Sequence, residues 1–426
     1  MAKTKRSQKT SVDYGSHTRR QVMGVLFLFV AAFIWLIFVR TTEPGLQTTF
    51  NLTPGGSSLT TPDWIVSSST TLNLIATICA GLGAYQLIRG FGSLTNVILG
   101  MVAGLLVFSF LAWGAAGGSI NLVGMLRVMV IRSVPIVIGA LSGIICERAG
   151  VFNIAIEGMM LMGAFISAVF GSAAGLWVGI FAAIISGGVL GALHAVLSIK
   201  YKVNQIISGT VINIISTGLT SFLTSKFLQK LDLQYLNDPG IFPPYEIPIL
   251  SKIPVIGPIF FSQNIFAYVM YLLVIVLTVA LFYTRWGLRL RSVGEHPKAA
   301  DTLGINVFKT RYMAVILGGM IAGFGGAYFT LGSVGRFNEM MTGGRGFIGL
   351  AAMIFGKWNP VGALGSGLLF GFADSLSTKL TILRFPIPSN FLMMLPYIIT
   401  MVVLAGVVGR SQGPAAAGVP YEKESL

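Results

Sequence analysis

The stretch from Val134 to Phe170, VPIVIGALSGIICERAGVFNIAIEGMMLMGAFISAVF, decides how the rest of the chain is read. Two apolar segments, each short for a membrane helix, flank a polar knot that places Glu147, Arg148, Asn153 and Glu157 within eleven residues. Gly is the favoured residue just past a helix C-terminus and Asn a strong N-cap, so Gly150 and Asn153 write a stop followed by a start. Glu157 falls in the first turn of the second helix, where the helix dipole favours an anion.

Around the knot the chain is apolar. Of 426 residues, 54% are hydrophobic and 10% charged, and the mean hydropathy is +0.80, which is outside the range of soluble domains and indicates an integral membrane protein. Lys and Arg outnumber Asp and Glu by 29 to 14, for a net charge of +15, but the cations sit in the N-terminal tail and in short loops. That is the pattern of cytoplasmic loops, and no basic face on a soluble fold offers itself to nucleic acid. Cys79 and Cys146 lie inside apolar runs and His17, His194 and His296 are far apart, so neither a disulfide framework nor a metal site is indicated. Gly356-Lys357 is followed by Trp358, so the chain has no Walker A phosphate loop.

The fold class expected is an all-α polytopic membrane protein of about 10–12 membrane segments, with short or broken helices in two weakly repeated halves. Apolar runs fall at about 22–39, 65–88, 94–115, 125–146, 154–171, 174–198, 203–224, 265–284, 312–331, 345–356, 361–378 and 391–408. Residues 1–20 form a basic cytoplasmic tail, residues 21–408 the membrane domain, and residues 409–426 a second cytoplasmic tail. Within the membrane domain, 41–63 and 225–264 are expected as external loops and 285–311, the richest in cations, as a cytoplasmic one. The halves are suggested by a second break, Gly356-Lys357-Trp358-Asn359, which repeats the order of Gly150-Val151-Phe152-Asn153 and is followed by Pro360, a favoured first helical residue.

Broken helices in transporter folds place freed backbone groups around a central polar site. On that reading Glu147, Arg148, Asn153, Glu157, Trp358 and Asn359 line a substrate pathway. The plainer reading makes the same residues caps of hairpin turns at the cytoplasmic surface, and depth in the membrane decides between them. Glycine runs such as Gly318-Gly319 and Gly362 to Gly367 are read as close helix packing. The loop RWGLRLRSVGEHPKAADTLGINVFKTR, Arg285 to Arg311, predicts a short helix over about 297–303 that begins at Pro297 and stops at Gly304, a docking element presented to the cytoplasm or an interfacial helix on lipid headgroups.

The segments CERAGVFNIAIEGMMLMGAF, VGEHPKAADTLGINV and GGRGFIGLAAMIFGKWNPVGALGSGLLFGFADSL resemble the permease subunits of bacterial ATP-binding-cassette importers of the branched-chain amino acid, simple-sugar and nucleoside group. The matches span about residues 120–408, and the wording around Glu147 to Phe165 is most similar to the nucleoside and simple-sugar branch. The resemblance implies a multi-pass permease of the bacterial cell membrane with both termini cytoplasmic, which carries nucleosides, purine ones above all, or simple sugars. It implies that Gly294, Glu295, Ala299, Ala300 and Gly304 belong to a coupling helix that contacts the ATPase. Its implied partners are soluble ATPase subunits that hold ATP and Mg, a second permease chain, related or identical, and an extracytoplasmic substrate-binding lipoprotein. This chain would bind no cofactor and catalyse no chemistry. The long tail and first loop, residues 1–64, depart from the family pattern. An ion-coupled secondary transporter working through Glu147 and Glu157 is the alternative, and the cytoplasmic docking helix discriminates the two.

Overall fold

The computed structural model describes residues 2–53, 61–382, 394 and 412–423, which fall into two compact units on either side of residue 124. In the first, helix α1 (Ala2–Phe33) runs on through a π-helical turn, Ile34–Val39, so the basic residues expected as a tail continue the first membrane helix. Strand β1 (Gln47–Asn51) lies inside the stretch expected as an external loop and pairs antiparallel with β2 (Trp64–Ser67) and parallel with β3 (Ser119–Asn121). The β-branched and aromatic run Thr48-Thr49-Phe50 suits a strand. Helices α2 (Ser68–Ile88) and α3 (Thr95–Gly114) complete the unit. Phe108 stacks on both Phe50 and Trp64 at its sheet, at 5.2 and 5.5 Å between centroids.

The described part of the second unit is mostly helical, with one short strand pair. Helix α4 (Leu122–Arg148) is 27 residues long, so the segment before the knot is a full span and not the short one expected. Pro135 sits inside it and has no N–H for the carbonyl of Ile131 four residues back; the Tyr328 hydroxyl donates to that carbonyl at 2.7 Å and satisfies it. Next come α5 (Ile156–Ala174), α6 (Leu176–Ala195) and α7 (Gln205–Leu223), with Gly175 at φ +97° turning α5 into α6 without a loop. The long stretch 225–264 holds α8 (Ile256–Phe260) and the two-residue strands β4 (Tyr245–Glu246) and β5 (Ser262–Gln263).

Helix α9 (Ile265–Tyr283) leads into α10 (Arg285–Glu295) and α11 (Pro297–Thr302), then α12 (Val307–Phe329), α13 (Arg345–Phe355) and α14 (Pro360–Ile382). The short helix expected from Pro297 is α11, and Gly304 follows it at φ +80°. Asn204, Asn264 and Asn306 cap α7, α9 and α12 with their side chains, as the residue type predicts.

The core sits where α5, α6 and α12 meet. A Cβ on Gly187 would fall onto the carbonyl of Gly319, one on Gly323 onto that of Ala183, and one on Gly163 would lie 2.5 Å from that of Gly323. The glycine runs are therefore a packing seam that brings backbones together. Among the described residues nine helices are long and apolar enough to cross a membrane, while α13 has 11 residues and α14, with 23, carries Asp374 and Lys379. The expected segment 391–408 lies outside the described residues. The fold is an all-α polytopic membrane protein.

Candidate functional site

Helix α4 stops because Gly150, at φ +84°, lets the chain turn back: the amides of Gly150 and Val151 bond to the carbonyls of Glu147 and Cys146 at 2.8 and 3.0 Å. Asn153, fully buried, accepts from the amide of Ala155 at 3.0 Å and turns its amide toward Cys146 and Met159. The residue before α5 is Ala155, so Asn153 forms an Asx turn ahead of the helix and is not its N-cap. At the second break the left-handed backbone falls on Lys357 (φ 55°) and Trp358 (φ 51°), whereas Gly356 has φ −72°. Asn359 accepts from Val361 at 2.9 Å and starts α14. The two stop and start signals are alike in sequence, but the turns that execute them differ.

The two breaks meet in space. The indole of Trp358 donates to Glu147 Oε2 at 2.6 Å, and Arg148 donates from Nε and Nη2 to the carbonyl of Trp358 at 3.1 and 3.0 Å. Glu147 is 1% exposed, and its Oε1 has no hydrogen-bond partner among the described residues. Glu157 falls in the first turn of α5, as expected, but its hydrogen bonds are made to another helix. It reaches the start of α13, where Oε1 accepts from Thr342 Oγ1 at 2.6 Å and the Gly344 amide at 2.8 Å, and Oε2 from the Gly346 amide at 2.7 Å. A carboxylate on freed amides at the positive end of a helix is a strong arrangement. Gly346 has no alternative residue type here, since a Cβ would lie 2.7 Å from Glu157 Cα. The α4–α5 break thus holds α13 at both ends, by Glu157 at its start and Glu147 and Arg148 at its finish.

The residues that the resemblance assigns to a coupling helix adjoin this brace. Gly294 packs on the end of α4, where a Cβ would fall onto the Arg148 carbonyl and lie 3.3 Å from the Gly150 amide. Arg291 and Arg148 both lie over the Phe282 ring, at 5.0 and 5.7 Å. His296 Nδ1 caps α11 through the Ala299 amide at 3.1 Å. Ala300 faces inward and is 2% exposed, whereas Glu295, Ala299 and Gly304 are exposed.

A second polar site was not found from the sequence. A cavity of about 410 Å³ is lined by residues that include Arg132, Tyr328, Phe329, Ser333, Asn338 and Arg345. Arg132 Nη1 and Arg345 Nη2 converge on Asp374 Oδ2 at 3.4 and 3.3 Å, which neutralises part of the charge placed inside apolar helices. The signal was available: Arg132 and Asp374 each interrupt an apolar run, the same criterion that singled out the knot.

The family model described as branched-chain amino acid transport system / permease component matches residues 125–404. The chain belongs to this permease family. It is 41% identical over 303 residues to the guanosine ABC transporter permease protein NupQ of Bacillus subtilis, a match over 69% of this chain and 94% of that one. To the nucleoside ABC transporter permease protein NupC of Lactococcus lactis it is 42% identical over 306 residues, covering 69% of this chain and 95% of the relative. A putative glucose ABC transporter permease protein of Haloferax volcanii is 34% identical over 332 residues, or 71% and 98% of the two chains. No solved structure matches. This permease is therefore a multi-pass membrane protein of the ABC transporter class, and residues 1–124 lie outside the family match.

Proposed function

We propose that this permease carries nucleosides, purine nucleosides in particular, inward across the bacterial cell membrane as the membrane subunit of an ABC importer. The observation that carries the reading is its 41% and 42% identity to a guanosine and a nucleoside permease over nearly their whole lengths. Soluble ATPase subunits hold ATP and Mg and dock on α11, for which the exposed Ala299 supports a cytoplasmic contact point. A second permease chain and a substrate-binding lipoprotein complete the assembly, and both termini are cytoplasmic.

On this reading the chamber at Arg132, Asn338 and Arg345 forms part of the pathway, with hydrogen-bond donors for a ribose or a base. Glu147, Arg148, Asn153, Glu157, Trp358 and Asn359 border the pathway on the ATPase side as a brace, because Gly294 joins them to the coupling segment. An ion-coupled mechanism fits less well: both oxygens of Glu157 are taken up by three donors of the α13 N-terminus.

The test is uptake of labelled guanosine in a strain lacking the native permease, with and without the ATPase subunits. Uptake that requires them and is competed by other purine nucleosides but not by glucose supports the reading. Competition by glucose alone moves it to sugars, and ATPase-independent uptake abolished by a protonophore overturns the ABC mechanism.

A further inference from the structure

The C-terminal residues 412–423 fold onto the coupling segment. They form two successive turns, Ala417 amide to Pro414 carbonyl at 3.1 Å and Val419 amide to Ala416 carbonyl at 3.2 Å, with Gly418 at φ +82°. The amide of Ala416 donates to the Gly294 carbonyl at 2.9 Å, and that of Ala415 to the Glu295 carboxylate at 3.3 Å. Tyr421 is buried with Val293, Ala300 and Val307, and its ring centroid lies 5.3 Å from that of Phe308.

Beneath the tail lies Arg311, 1% exposed and among the largest fully buried side chains. It donates from Nη1 to the carbonyl of Val419 at 3.0 Å, while Nε and Nη2 have no partner among the described residues. A buried guanidinium needs acceptors, and here a tail carbonyl supplies one. The tail also touches both helix breaks. A Cβ on Gly150 would lie 3.2 Å from the Ala416 carbonyl, and one on Gly413 2.9 Å from the Trp358 indole. Lys202 pairs with Glu422 near the end of the strap. One short segment is therefore bonded to α10, to α12 and to the loop after α6, and packs on both breaks.

We propose that residues 412–423 are a clasp that holds α10 and α11 against the two helix breaks, and that opening it disconnects ATP hydrolysis from transport. The second half of this statement rests on the ABC reading; the first does not. The test uses the full chain with Cys79 and Cys146 replaced by Ser and Ala300→Cys as a reporter beneath the clasp. With Tyr421→Ala added, the reporter reacts with a soluble maleimide at least about tenfold faster, while Tyr421→Phe, which keeps the ring, stays within about twofold of the parent. Equal rates in all three overturn the clasp whatever the substrate is.

In the assembled importer, Tyr421→Ala with the native Ala300 raises the ATP hydrolysed per guanosine imported severalfold while the subunits still co-purify. An unchanged ratio alongside faster labelling overturns the coupling role. A parent complex that takes up no guanosine with ATP refutes the transport reading instead, and the labelling result still decides the clasp.

Discussion

Trp358 and Glu147, 211 residues apart in the chain, share a 2.6 Å hydrogen bond that joins the end of α13 to the end of α4. Trp358→Phe keeps an aromatic ring of smaller size and removes the donor, leaving a buried carboxyl with neither oxygen bonded among the described residues. We expect a loss of about 1–3 kcal/mol, seen as a lower unfolding midpoint in detergent. Glu147→Gln in the same background recovers part of it, because a neutral amide costs less to bury. A midpoint equal to the parent's refutes the brace at this end.

Glu157→Gln removes the charge that faces the α13 N-terminus and sets an NH2 group against amide donors. Helix capping of this kind is worth about 0.5–2 kcal/mol, so the protein still inserts while uptake falls beyond any change in its amount. Glu157→Asp shortens the reach to three donors and does not restore uptake. Normal kinetics in both variants leave Glu157 as a dispensable cap.

Ala299 and Ala300 adjoin in sequence but face opposite ways, and charge at the two positions has different effects. Ala299→Glu, on the exposed side of α11, abolishes ATP-driven uptake and leaves membrane insertion and thermal stability at parental values. Ala300→Glu puts a carboxylate among Val293, Val307 and Tyr421 and lowers stability as well. Unimpaired uptake by Ala299→Glu contradicts the coupling assignment.

The glycine seam makes a prediction with its own control. Gly323→Ala drives a methyl group into the Ala183 carbonyl and costs about 1–3 kcal/mol by overpacking. Gly218→Ala, in α7 with nothing within 4 Å, is neutral or stabilising by about 0.5–1 kcal/mol. Comparing the two by size-exclusion recovery after heating separates packing from helix propensity.

Local signals were legible in the sequence: Gly150 as a stop, Asn359-Pro360 as a start, and the Pro297 to Gly304 helix all appear where the residues place them. What lay hidden was pairing at a distance. Glu157 lies in the first turn of α5 as the sequence placed it, but its carboxylate also meets the start of α13, 185 positions on at Thr342, and no local pattern names that partner. Helix α4 runs through Pro135 as one 27-residue span, because the Tyr328 hydroxyl bonds the carbonyl that the proline frees, a partner 197 positions away that no local pattern names. Arg132 and Asp374 were within reach of the same reasoning that found the knot, and only their mutual attraction across 242 residues was not.

Helix α13 is pinned at both ends to residues that flank one interhelical turn, and α10 rests on that turn through Gly294. On the coupling role proposed above, a push on α10 meets at Gly294 a single turn to which both ends of α13 are bonded. Arg345 opens α13 and also lines the cavity, so the helix braced at the two breaks is also a wall of that cavity.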